Sequence, residues 1–222
     1  MKFIHLNKGE KILIVTLLFW SIVLAISAYY YFGDIGKYIF YNPKQIGEIK
    51  LPYKWWLVGH FAAASCTLFL GPLQFIPVIR RKYIRFHRIS GKLYIIGSLI
   101  SAFTVFILLA TTYSLPGAIP SLGLLSIIWI FTTIMAYISI RHHHVKQHEQ
   151  FMIRSYVCGF AFVFIRLLPE INSMTGIFNF IENETMRATA YEWICWVYPL
   201  IITEFFLTWK PQLEKIVKQA TY

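Results

Sequence analysis

His87 and His148 stand where two long apolar stretches begin, and each has basic neighbours: Arg85 and Arg88 beside the first, Arg154 beside the second. A neutral imidazole can ligate haem iron or a transition metal, and a guanidinium recognises carboxylate oxygens in two-pronged geometry. The surroundings of the two histidines repeat. Arg81, His87 and Tyr94 recur as Arg141, His148 and Tyr156, with spacings that differ by one residue. A duplicated two-helix unit would place the two imidazoles at matching positions. The expected cofactor site is therefore His87 and His148 with Arg88, Arg154 and Tyr94 beside them. One haem b or a quinone headgroup is the cofactor that suits it.

A second set of polar residues lies inside the apolar stretches: His60, Gln74, Arg166, Glu192 and Glu204, together with Arg154. Ionisable groups in hydrocarbon are costly enough to be functional suspects. Arg154 and Arg166 are twelve residues apart, and so are Glu192 and Glu204. On antiparallel helices this spacing matches Arg154 with Glu204 and Arg166 with Glu192 in depth, as a clasp that neutralises charge. Twelve residues also turn a helix by about a third of a revolution, so the two pairs cannot share one straight contact line. His60 and Gln74, two heptads apart, lie on nearly one face and form a polar seam of the kind that joins helices by hydrogen bonds. His142, His143 and His144 are consecutive and cannot all face one ion, which makes them a solvated loop. No metal site is expected beyond a haem iron.

The elements that position these residues are six apolar stretches, at about 12–32, 55–79, 93–113, 120–140, 151–168 and 191–209. About 20 residues cross a bilayer as a helix, so six spans fill most of the 222 residues as one integral, all-α transmembrane bundle. Threading them in order puts 15 of the 21 Lys and Arg and four of the ten acids on one face, which thus carries the whole net charge of +11. By the positive-inside rule that face is cytoplasmic and holds both termini, the 80–92 loop and the 141–150 loop. The charge is thereby explained by topology, and nucleic acid is not an expected partner. The bilayer is, together with other membrane subunits, and the expected location is the bacterial inner membrane.

The run 93–140 is too long for one helix and breaks at Leu115-Pro116-Gly117-Ala118-Ile119-Pro120, the outer turn. The first stretch follows Lys2, Lys8 and Lys11 as a signal peptide would, but its apolar core exceeds the usual length of about 7–15 residues, which predicts a retained anchor. Cys66, Cys158 and Cys195 fall within spans without paired spacing and read as small buried hydrophobes. Trp55, Trp56, Trp193, Trp196 and Trp209 near the span ends suit interfacial belts. No phosphate-binding loop or nucleophile constellation occurs, which argues against a hydrolase or an ATP-driven pump.

The residues His60, Gly71-Pro72-Leu73-Gln74-Phe75, Arg81, His87-Arg88, Gly91, Tyr94, His148, Met152-Ile153-Arg154-Ser155 and Arg166 carry a resemblance to a family. They resemble the bacterial membrane proteins known as domain of unknown function twenty-three oh six, over about His60 to Leu168. The resemblance implies a four-helix core and no established activity. A looser similarity is to di-haem b-type membrane cytochromes, in which histidines of facing helices ligate haem in pairs. Only one such pair, His87 with His148, is present here. The functional expectation is a redox-associated membrane protein with one haem b or a quinone near the cytoplasmic face. The alternatives are an accessory or assembly subunit, and a small proton-coupled transporter using His60, Arg166 and Glu204.

Overall fold

In hydrocarbon a chain must satisfy its own backbone hydrogen bonds, and a helix does so within one segment. The computed structural model describes residues 8–40, 51–111 and 116–220, and among these every regular element is helical. In chain order they are α1 (Lys8–Phe40), α2 (Leu51–Phe75), α3 (Pro77–Lys82), α4 (Ile84–Thr111), α5 (Ala118–Arg141), α6 (Val145–Thr175) and α7 (Glu184–Glu204). A π-helical segment, Phe205–Trp209, then leads into α8 (Lys210–Ala220). Four helices are long and apolar enough to cross a membrane: Trp55–Phe75, Ile84–Ala110, Ala118–Arg141 and Val145–Thr175. Ile14–Tyr30 of α1 is a shorter apolar helix, and α7 is not among the four.

Several boundaries move from their expected places, for physical reasons. The stretch expected at 55–79 ends as a helix at Phe75, because Pro77 forces Ile76 into an extended conformation (φ −75°, ψ 115°) and then opens α3. The stretch expected from 93 begins at Ile84. Arg85, Arg88 and Lys92 end the apolar run, yet they are good helix formers and α4 continues through them. The stretch expected at 151–168 is likewise the apolar middle of a longer helix, α6.

The core is the antiparallel set α2, α4, α5 and α6, with α2 packed on α4, α4 on α5, and α5 on α6. This is the four-helix core that the family resemblance implies. Helix α7 covers α6, while α1 lies against α2 and α6. Trp20 holds α1 there by stacking on Phe75 at 5.5 Å and meeting Tyr156 edge-on at 5.9 Å.

Burial is inverted relative to a water-soluble bundle. Large apolar side chains such as Ile96, Phe103, Ile127 and Phe131 face outward, whereas Ser98, Ser101, Ser126, Thr133 and Ser155 are almost wholly buried. Lipid tails are as apolar as leucine, so helices associate through close packing and interhelical hydrogen bonds. Gly97 of α4 shows the closeness: a Cβ there would stand 2.7 Å from the Ala63 carbonyl oxygen and 2.6 Å from Cys66 Cβ. Cys158 and Cys195 are buried free thiols and Cys66 is half-buried. The three consecutive histidines form the exposed α5–α6 turn, with His143 at φ 61°.

Candidate functional site

The α4 and α6 helices both start at the basic end of the bundle, and they bring His87 and His148 within electrostatic range of each other. His148 Nδ1 lies 2.8 Å from the Ala136 carbonyl oxygen. A carbonyl can only accept, so Nδ1 carries the hydrogen and Nε2 of the neutral ring keeps its lone pair. His87 Nδ1 is shielded from solvent and has no hydrogen-bond partner. Beside them, Arg80 of α3 forms an ion pair with Glu149. The pair thus offers one lone-pair nitrogen set by a carbonyl and one buried nitrogen without a partner. Arg85 and Arg88 are exposed next to it. No cluster of three or more metal-ligating side chains occurs among the described residues.

Two expected members of this site are committed to other partners. Arg154 donates through Nε and Nη2 to the two oxygens of Glu204, and Nη2 also reaches Thr208 at 2.9 Å. The depth-matched carboxylate has claimed the guanidinium expected at a cofactor. Tyr94 has no exposed surface, and its hydroxyl meets Ser155 at 2.9 Å, which in turn meets Thr133 at 2.7 Å. Tyr94 is therefore a core residue tying α4 to α6 and α5.

The expected polar seam is present between α2 and α4 as three hydrogen-bonded rungs. His60 Nδ1 meets the Ser101 carbonyl at 3.1 Å and the Thr104 hydroxyl at 3.0 Å. Thr67 Oγ1 meets Ser98 at 2.9 Å, and Gln74 Nε2 donates to Ser90 at 2.8 Å. Positions 60, 67 and 74 are one heptad apart, so the middle rung was available from the same periodicity that linked His60 with Gln74.

Alongside the seam, and lined in part by its His60, Thr67 and Ser101, residues of α2, α4, α5, α6 and α7 border a cavity of about 250 Å³. Its polar lining includes His60, Ser126, Trp129, Arg166 and Glu192. Arg166 lies over the Phe162 ring at 4.9 Å and within electrostatic range of Glu192. Arg154 and Glu204 close on each other, and Arg166 and Glu192 both line the cavity. The indole N–H of Trp129 is shielded from solvent near the Tyr94 hydroxyl but outside hydrogen-bond geometry. Sequence reasoning singled out the charged residues and missed Trp129, because a tryptophan in an apolar stretch reads as core.

A helical bundle with hydroxyls inside and aliphatic side chains outside defines a membrane protein. The chain belongs to the family of predicted membrane proteins of domain of unknown function DUF2306, which matches it over residues 57–207. The match runs beyond the stretch from His60 to Leu168 that carried the resemblance and takes in Glu192 and Glu204. No curated protein and no solved structure matches the chain. The comparisons show the family and not the looser likeness to b-type cytochromes.

Proposed function

We propose that this is a redox-associated protein of the bacterial inner membrane that holds one haem b between His87 and His148. The observation that carries the reading is that the starts of α4 and α6 bring two imidazoles within electrostatic range, one oriented by the Ala136 carbonyl and one with a buried, unpartnered nitrogen. An orphaned buried nitrogen costs free energy unless something completes it, and His87 with His148 would be the residues to hold a haem. Bound haem would supply one-electron transfer. The chain's own part is to fix the tautomer of His148 through Ala136 and to present Arg85 and Arg88 to the propionates.

In this reading the chain crosses the membrane six times, with both termini cytoplasmic. Helix α7 and the π-helical segment together make 26 residues, or about 39 Å at about 1.5 Å per residue, enough for a crossing. The partners in α6 offset the charges of α7. Purified protein from haem-replete cells should show a Soret band that His87→Ala with His148→Ala abolishes while the helical content is kept. A colourless preparation overturns the redox reading and leaves an accessory subunit held together by the same polar contacts.

A further inference from the structure

We propose that α8 lies in the membrane surface at the basic end of the bundle, with its apolar side among acyl chains and its lysines on anionic phospholipid headgroups. The helix divides by face. Leu213, Ile216 and Val217 follow helical spacing along one side, and all three are more than half exposed. Lys215 stands two residues after Leu213 and Lys218 two after Ile216, a turn of about 200° that puts both lysines on the other side. With Lys210 they outnumber Glu214, the one acid of α8.

The place of α8 follows from the clasp. Helical backbone runs on from Glu184 through the π-helical segment to Ala220. Thr208 is tied to Arg154, which lies in the third turn of α6, so the chain beyond Thr208 heads for the level where α6 starts. Lys146 and Glu149 stand at that level, where the apolar span gives way to charge. There α8 packs on the π-helical segment that it follows and stays outside the core. Phe206, Trp209, Leu213 and Ile216 are all exposed and spaced three or four residues apart. They form one stripe that passes from the last turns before α8 onto α8 itself, with a tryptophan at the crossing as interfaces favour.

Lipid is the occupant that suits this stripe. In water a helix of 11 residues is marginal, and pairing with a second copy as a coiled coil takes roughly three or more heptads. A bilayer surface covers the apolar side chains, and its anionic headgroups complement the excess of lysine. The inference goes beyond the redox reading and is independent of it, since it needs only α6 as a span and the tie between Arg154 and Thr208.

Full-length protein carrying Cys66→Ala, whose other two cysteines are buried, would be spin-labelled at Leu213→Cys, Ile216→Cys or Lys215→Cys. It would be placed in nanodiscs of phosphatidylcholine with or without phosphatidylglycerol. Oxygen concentrates among acyl chains and a neutral nickel complex stays in water, so their collisions with each label report its surroundings. In discs with phosphatidylglycerol the first two labels should favour oxygen and the third the nickel complex. Changing Lys215→Gln and Lys218→Gln beside the Ile216→Cys label should shift the balance toward the solvated helix by about fivefold per lysine, and omitting phosphatidylglycerol should shift it the same way. Equal access of the nickel complex to all three labels overturns the proposal, as a helix in water. Labels at Leu213→Cys and Ile216→Cys hidden from both reagents also overturn it, since protein then covers the stripe. Equal immersion in both lipids, unmoved by the lysine changes, overturns the anionic partner. No arm reads the Soret band, so a colourless preparation sinks the haem and leaves this result standing.

Discussion

Arg154 and Glu204 are joined by a two-pronged ion pair between α6 and the end of α7, and Thr208 bonds to both partners from within the π-helical segment. Thr208 donates to Glu204 Oε2 at 2.8 Å, four residues back along the chain. The two charged side chains are only 13% and 28% exposed, so each depends on the other for solvation.

Breaking this pair on one side should therefore be expensive. Arg154→Met or Glu204→Leu alone is expected to destabilise the protein by about 3–5 kcal/mol, and the double variant should recover part of that loss. Denaturant unfolding in detergent, followed by far-UV circular dichroism, measures all three. Strictly additive losses would remove the clasp from the account.

The pair of Arg80 with Glu149 is a control of the opposite kind. Its side chains are 39% and 45% exposed, and water competes for both charges. Glu149→Gln should change stability by less than about 1 kcal/mol, and what change there is should fade as salt is added. A large, salt-insensitive loss would show that the pair is more enclosed than its exposure indicates.

Two glycines should respond in opposite directions to the same substitution. Gly97→Ala drives a methyl into the Ala63 carbonyl and Cys66, whereas a Cβ at Gly123 of α5 meets nothing within 4 Å. The first should lower the melting temperature clearly. The second should leave it unchanged or raise it, because alanine is favoured in a helix interior by up to about 1 kcal/mol. Equal effects at both sites would argue against the close α2–α4 approach.

In the seam, Thr67→Val leaves the Ser98 hydroxyl without its partner, at a cost of about 0.6 kcal/mol, the usual scale for such bonds between membrane helices. Adding Ser98→Ala should restore stability, since no polar group then remains stranded. If the double variant is less stable than Thr67→Val alone, the rung is not a simple pair.

The apolar helices α2, α4, α5 and α6 and the pairing of Arg154 with Glu204 were legible because their signals are one-dimensional, while the four-helix core came from the family resemblance and apolar length alone counted six spans. Apolar length marks a span, and equal spacing on antiparallel helices marks equal depth. The ends of α2 and α4 were not, since hydropathy registers where lipid contact stops rather than where hydrogen bonding stops. Rotation about the helix axis was harder still. The third of a turn between Arg154 and Arg166 sets the two pairs on different lines, but what surrounds each depends on neighbours such as Thr67 of α2 and Trp129 of α5, which pack on Gly159 of α6. Tyr94 is a related case: its hydroxyl bonds to Ser155, which bonds to Thr133, and partners that meet across the bundle leave no mark in the sequence.

The three rungs between α2 and α4 have a consequence for how the hairpin finds its alignment. Dispersion between aliphatic surfaces changes little when one helix slides along another, so an interface of leucines alone would tolerate many offsets. Here the successive heptad positions carry an imidazole, a hydroxyl and a carboxamide, and their partners on α4 are a carbonyl with a hydroxyl, then a hydroxyl, then a hydroxyl bonded back to its own helix. Sliding α2 by seven residues would bring Thr67 opposite Ser101 and Thr104, leave the Gln74 carboxamide facing Ser98, and strand His60 beyond the end of its site. The repeat spaces the rungs evenly, but their chemical difference labels them, so the offset is chosen by identity rather than by shape.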